Sequence, residues 1–287
     1  MQYGLSLPNG GECATPQFLL ELAVLAEEAG WEGIFLEDYI CYTNDAYPVA
    51  SPPTIDPWVA LAALALQTKR VLLGTTVTPL PRRRPWKLAR EAVSVDVLSN
   101  GRLIVGVGSG DVREPGFSHF GEERDAKHRA ELLDEGLAIL AGLWRGEPFS
   151  YQGTHYRVEE VAFLPKPVQQ PRIPIWVGGG WPNKGPVQRA LRWDGAILYN
   201  ETHGGPWQDM TAQEVRQLRG MVEQKRGPAG AYDIVVGGRR RSKDWQQEQA
   251  LIQTLAEAGA TWWVEWIPPS DRQTMRTAVK RGPLRPE

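Results

Sequence analysis

Cysteine is scarce in this chain: only Cys13 and Cys41 occur among 287 residues, with no metal-ligand spacing and no framework of disulfide partners. That usage suits a reducing compartment, and a cytoplasmic location is expected. No run approaches the roughly 18 consecutive apolar residues of a membrane span. The opening MQYGLSLPNG has neither the basic start nor the apolar core of a secretion signal, so neither a membrane protein nor an exported one is expected. An excess of one charge is also missing. The 32 Lys+Arg residues face 34 Asp+Glu residues, a formal net charge of −2, which argues against general binding of nucleic acid or other polyanions. No tight internal repeat is visible, so the architecture has to be read from the count of elements.

The richest segment runs from Val71 to Gly110. Val71 to Val77 is a short apolar, β-branched run; Trp86 to Leu98 places Leu88, Ala89, Ala92, Val93, Val95 and Leu98 on one broad helical face; Leu103 to Val107 is a second buried strand. Asn100-Gly101 suits the left-handed turn that closes a helix. Strands that look uniformly apolar belong to parallel sheets, whose crossovers bury both faces. The same unit recurs along the chain. Strand signals at Tyr3–Leu7, Gly33–Leu36, Val71–Val77, Leu103–Val107, Ile173–Val177, Gly195–Tyr199, Tyr232–Val236 and Thr261–Glu265 alternate with helices. Eight such alternations predict an α/β fold, a (βα)8 TIM barrel with long loops at its carboxyl-terminal face, and a barrel of roughly 250 residues would use nearly all of the chain. The expected division is a barrel over residues 1–267 and a basic tail over 268–287, read as a helix followed by a loose, solvated end. The loop from Tyr39 to Pro57 is long enough to serve as a lid or pocket wall.

In such a barrel the chemistry sits just beyond the carboxyl ends of the strands. Two of these ends are glycine-rich, VGVGSG and VGGGWPNKG. Such loops let backbone N–H groups approach an anion, and the second runs straight into a helix amino terminus, so a phosphate fits there. Tight turns alone would use glycine too. The runs Arg82–Arg84 and Arg239–Arg241 also follow strands and suggest a rim that attracts anions, although such runs are usually solvated. Trp181 and Trp266, with Tyr39, Tyr42 and Tyr47, are candidates for an apolar wall that would take a medium-sized organic substrate.

Taken together, YGLSLP, LAEEAGWEGIFLED, the block from Asp56 to Gly110, FGEERDAKHRAELLDEGLAIL and PIWVGGGWPNKGPVQRALRWDGA resemble the bacterial luciferase-like flavin-dependent oxidoreductases over nearly the whole chain. The resemblance implies a barrel that holds FMN or, alternatively, a deazaflavin of the coenzyme F420 type in its mouth, in a protein that acts as a monooxygenase or transfers hydride. It implies a non-proline cis peptide at Thr76-Val77 behind the ring, and a phosphate-binding turn at Gly178, Gly179, Gly180 and Trp181, with Gly108 and Ser109 reaching the same group. The luciferases themselves carry arginine where this chain has Ser109. Leu7 and Thr75, at the ends of their strands, complete the expected cofactor contacts. No metal is implied. The partners to expect are a second copy of the chain and, with FMN, a separate flavin reductase.

Proton transfer in either chemistry would need an acid or base. Asp38, His119 and His203 are the catalytic candidates, and Glu37 lies beside them. Two other readings stay open: a phosphate-binding barrel isomerase or lyase, which would need a lysine or paired carboxylates in the mouth, and a noncatalytic flavin-binding relative.

Overall fold

Parallel strands buried on both faces need a neighbour on each edge, and here they pair until the sheet closes on itself. In a computed structural model, which describes residues 1–42, 52–200, 208–227 and 231–286, β1 (Gln2–Leu7) lies between β2 (Gly33–Leu36) and β11 (Trp262–Trp266). The ring continues from β2 through β3 (Leu72–Thr75), β5 (Leu103–Gly108), β8 (Ile175–Trp181), β9 (Gly195–Asn200) and β10 (Asp233–Arg239) back to β11, every pairing parallel. The third position is interrupted. After β3 comes a cis peptide bond between Thr76 and Val77, and the chain resumes as β4 (Thr78–Pro79) beside β5. These eight positions form the closed barrel that the alternation predicts.

Helices α1 (Pro16–Glu28), α2 (Pro57–Gln67), α3 (Pro85–Ser99), α5 (Ala126–Leu143), α6 (Lys184–Ala190), α7 (Ala212–Arg226) and α8 (Trp245–Glu257) follow strands in turn. A short helix, α4 (Pro115–Ser118), sits in the loop after β5. Their starts are chemically marked. Asp56 accepts from the N–H groups of Trp58 and Val59, Asp125 from His128, Asp244 from Gln247, and Thr211 forms a capping box with Glu214. Helix α3 ends where Asn100 adopts φ 55° and Gly101 φ 80°.

Inside the ring, Phe35, Ile104, Trp176, Val235, Trp262 and Val264 pack into one cluster. The rings of Phe35, Trp176 and Trp262 lie 5.1–5.7 Å apart, centroid to centroid. This aromatic plug fills the barrel from below and leaves its carboxyl-terminal mouth open. Gly106 allows the close approach of β3 and β5, because a Cβ there would overlap the carbonyl oxygen of Thr75.

Three features differ from the sequence reading. The region around Tyr151 to Tyr156 is an antiparallel hairpin, β6 (Phe149–Gln152) and β7 (Arg157–Val161). The tail after β11 folds back as α9 (Arg272–Lys280), with Met275 and Val279 buried and the Trp31 indole donating to the Val279 carbonyl at 2.9 Å. Its arginines find carboxylates: Arg276 pairs with Glu21, Arg272 with Glu12, and Arg281 joins Arg241 on the buried Glu265. Arg285 lies against Glu32 at 3.1 Å, so the expected loose end is tied to the barrel. Four of the six arginines in the two runs are likewise matched internally, Arg241 on Glu265 among them. Arg82 pairs with Asp38 and Glu114, Arg83 with Asp38, and Arg239 with Asp209 and Glu248, so the anion-attracting rim expected from the charge pattern is largely neutralised. Among the described residues no helix is long and apolar enough to cross a membrane.

Candidate active site

A cavity of about 1200 Å³ opens at the carboxyl ends of the strands. Its floor is Ile197, Val235 and Val264, the upper surface of the barrel interior. One wall is built almost entirely from backbone: the cis Thr76-Val77 bulge, Gly108 to Gly110 after β5, and Gly178 to Gly180 on β8. Space decides these residue types. A Cβ at Gly108 would come within 2.9 Å of the Val77 side chain, and one at Gly179 within 2.5 Å of Pro186, so at these positions no side chain covers the backbone.

A cation sits behind this wall. Arg129, in the first turn of α5, is 7% exposed and lines the cavity. Its Nη1 donates to the carbonyls of Ser109 and Gly110 at 2.8 and 2.6 Å, while its buried Nε has no acceptor. Burial pulls its pKa down, opposed by the more distant charges of Asp111, Asp125 and Glu123; an arginine stays charged regardless. Arg189 also reaches the cavity but forms a two-pronged pair with Asp134. No local pattern in the sequence marks Arg129. It stands in a helix, not at a strand end, and only the fold carries it to Ser109, the place where the luciferases have arginine.

The opposite wall holds Ser6, Glu37, Tyr39 and Trp266. Glu37 follows β2, and burial pushes its carboxyl up to about 7, with hydrogen bonding from the Tyr42 hydroxyl and the nearby Trp266 indole pulling the other way. Its Oε2 and the Trp266 Nε1 are both buried, and neither closes a hydrogen bond of good geometry. A carboxyl poised near neutrality in a cavity is a group able to hold or release a proton at working pH.

The expected residues fall into three sets. Thr76, Val77, Gly108, Ser109, Gly178, Gly179 and Gly180 come together on the backbone wall, whereas Leu7, Thr75 and Trp181 are buried outside the cavity lining. Asp38 borders the cavity, but its carboxylate is spent. Oδ2 accepts from Thr78 at 2.7 Å, and Oδ1 accepts from Arg83 at 2.8 Å and Arg82 at 3.2 Å. This network fixes the turn after β3 to the end of β2 and suits a structural brace better than a proton carrier. His119 is exposed at the end of α4 and is not part of the lining. His203, Tyr47 and the middle of the expected lid, residues 43–51, lie outside the described residues. Among the described residues no three His, Cys, Asp or Glu side chains gather to hold a metal ion.

Comparison with known proteins bears on this geometry. The family model described as luciferase-like monooxygenase matches residues 1–239. The F420-dependent glucose-6-phosphate dehydrogenase of Microbacterium testaceum is 34% identical over 169 residues, 58% of this chain and 48% of that protein. The oxygenase component of the flavin-dependent trigonelline monooxygenase of Acinetobacter baylyi is 30% identical over 165 residues, 58% of this chain and 43% of that protein. The matched part thus spans about half the length of these relatives. The coenzyme F420-dependent tetrahydromethanopterin reductase of Methanopyrus kandleri has the same fold, with a TM-score of 0.74 at 15% identity over 98% of both chains.

Proposed function

Because the chain belongs to the luciferase-like monooxygenase family, we propose that its cavity holds a phosphate-bearing flavin, FMN or the deazaflavin coenzyme F420, and that the protein is an oxidoreductase acting on a medium-sized organic substrate. The observation that carries this reading is the pairing of a bare backbone wall with a buried arginine that has donors to spare. The peptide N–H groups of the Gly108 and Gly178–Gly180 segments and the Arg129 guanidinium are the groups that would hold the phosphate, and the Thr76-Val77 bulge would back the ring. The cavity exceeds the usual 300–1,000 Å³ of a single small-molecule site, enough for a cofactor and a substrate together. When bound, such a cofactor supplies two-electron chemistry, either hydride transfer or, in reduced FMN, reaction with oxygen. The chain's own part is to seat the ring on the bulge, exclude water above the apolar floor, and move a proton at the Glu37 carboxyl.

A barrel isomerase or lyase is disfavoured by the lining, which among the described residues contains no lysine and in which the Asp38 carboxylate beside Glu37 is taken up by Arg82 and Arg83. The cofactor is tested by titrating the purified protein with FMN, reduced FMN and coenzyme F420 and following fluorescence. Saturable binding of at least one is expected, and binding of none sinks the reading.

The same reading includes a homodimer in the cytoplasm. Helix α2 turns an apolar stripe outward, with Val59 73% and Leu66 71% exposed and Ala62 and Ala63 half-buried between them, a face that a second copy would cover. Leu66→Glu is expected to convert the dimer to a monomer with an unchanged circular dichroism spectrum. Light scattering at micromolar concentration reads the outcome, and a variant that stays dimeric refutes this face. Both cysteines are free thiols, Cys13 buried, which supports a reducing compartment.

A further inference from the structure

On the wall opposite the bulge, two buried polar atoms have no hydrogen-bond partner: Oε2 of Glu37 and Nε1 of Trp266, both from residues of the cavity lining. The fold sets them side by side. Strands β2 and β11 flank β1, and Ser6 is in register with Phe35 on one edge and with Trp266 on the other. Just past that rung the Glu37 N–H donates to the Leu7 carbonyl and the Ile267 N–H to the Ser6 carbonyl, each at 3.0 Å, so both strand ends are pinned to β1. The Ser6 hydroxyl between them is engaged with that of Thr76 at 3.2 Å. The indole is near enough to act on the Glu37 carboxyl, yet the pair does not satisfy itself. One donor and one acceptor, fixed, desolvated and unpaired, suit a ligand that completes both.

Their chemistry narrows that ligand. An indole N–H only donates, and an ionised carboxylate only accepts. The complement is an acceptor and a donor on neighbouring atoms of one molecule. A cyclic amide offers this, because ring closure keeps its N–H and C=O on the same side, whereas an open-chain secondary amide is trans and turns them apart. A carboxylate ligand would meet the charge of Glu37, and an ammonium has nothing to accept from the indole. A lone hydroxyl has to serve both atoms from a single oxygen.

We infer that the substrate is a planar cyclic amide whose N–H donates to Glu37 Oε2 and whose carbonyl accepts from the Trp266 indole. This rests on the proposed cofactor site, in which the ring lies on the Thr76-Val77 bulge and leaves the opposite wall to the substrate. Tyr39 and Tyr199, also in the lining, supply faces against which the remainder of such a ring system packs. Flavins and deazaflavins carry an edge of the same kind, so substrate and cofactor have to be told apart.

Calorimetric titration with the lactam carbostyril and its N-methyl derivative does so, in the protein saturated with whichever of FMN or coenzyme F420 it binds. Carbostyril is expected to bind about tenfold more tightly than the methylated ligand, which keeps the carbonyl and lacks the donor, the size of one hydrogen bond. This comparison needs only the native chain. Two substitutions should then act differently. Glu37→Met is expected to erase the preference and leave the methylated ligand unchanged, whereas Trp266→Phe should weaken both ligands about tenfold and keep the preference. Cofactor affinity should stay within about twofold in both variants. Equal binding of the two lactams, a preference that survives Glu37→Met, or naphthalenemethanol binding as tightly as carbostyril would each overturn the inference with the cofactor site intact. A cofactor affinity that falls in either variant would give the pair to the cofactor ring and overturn it as well. Failure to bind either cofactor would remove the site reading itself, and the inference with it.

Discussion

Replacing Arg129 with methionine is expected to weaken FMN or coenzyme F420 about a hundredfold while leaving the affinity for the ring alone, measured with riboflavin, within about twofold. The size follows from the surroundings. A charge-assisted pair to a phosphate, formed by a guanidinium already stripped of water, is worth roughly 2–3 kcal/mol, and about 1.4 kcal/mol is a factor of ten. Arg129 loses its hydration to the fold before any ligand arrives, since it is 7% exposed and keeps only the Ser109 and Gly110 carbonyls as acceptors. Most of its electrostatic attraction is therefore left for an incoming anion. Methionine has similar length and packs against Phe117, whose ring lies 5.6 Å from the guanidinium. The riboflavin control separates a lost phosphate contact from a collapsed wall. If riboflavin and FMN weaken together, Arg129 holds the wall's shape; if neither changes, the phosphate lies elsewhere.

Arg129 also marks the boundary of what the sequence discloses. The barrel was legible because its strands are buried on both faces, so Leu103 to Val107 and Gly195 to Tyr199 read as short apolar runs whatever surrounds them. Asn100-Gly101 was legible because backbone geometry demands those residues. The glycine wall was legible for a related reason, since close approach leaves a residue-type imprint, whereas the Thr76-Val77 bulge was implied only by the family resemblance. The hairpin from Phe149 to Val161 left none: β7 is exposed at nearly every position, so polar residues fill it as they would a loop. Partnerships across the fold were equally silent. Nothing in RRR at 82–84 tells that Arg82 will be buried between Asp38 and Glu114, and nothing at Asp38 tells that both of its oxygens will be taken. The local pattern that singled out Asp38 is shared by Glu37 beside it. Only the direction of the two side chains, one toward the arginine network and one toward Tyr42 and Trp266, separates brace from proton carrier.

Glu37→Gln is accordingly expected to change the pH dependence of stability, with no substrate needed to see it. Burial raises the folded-state pKa of Glu37 from its ordinary value of 4.5 to about 7. A carboxyl raised in this way favours the fold fully below its unfolded value, and that contribution is lost as pH rises toward and through the folded value. The native chain should then lose up to roughly 3 kcal/mol from this one group between pH 4.5 and 8, at about 1.4 kcal/mol per unit. Glutamine keeps an oxygen for the Tyr42 hydroxyl and cannot ionise, so the variant escapes the loss. Melting temperatures of the two proteins should agree near pH 4.5 and separate by several degrees at pH 8, with the variant the more stable. The neighbours that face Glu37 do not confuse the measurement. Burial raises Tyr42 and Tyr39 beyond the range, burial and the Glu37 charge push Cys13 up to about 12, and the Trp266 indole does not titrate there. In turnover the same substitution removes the proton carrier. A fall of about a hundredfold or more is expected, with loss of any limb near pH 7 in the kcat/KM profile. Parallel melting curves across this interval would mean that Glu37 ionises like an exposed carboxylate, and the proton would then have to be carried by another residue of the mouth.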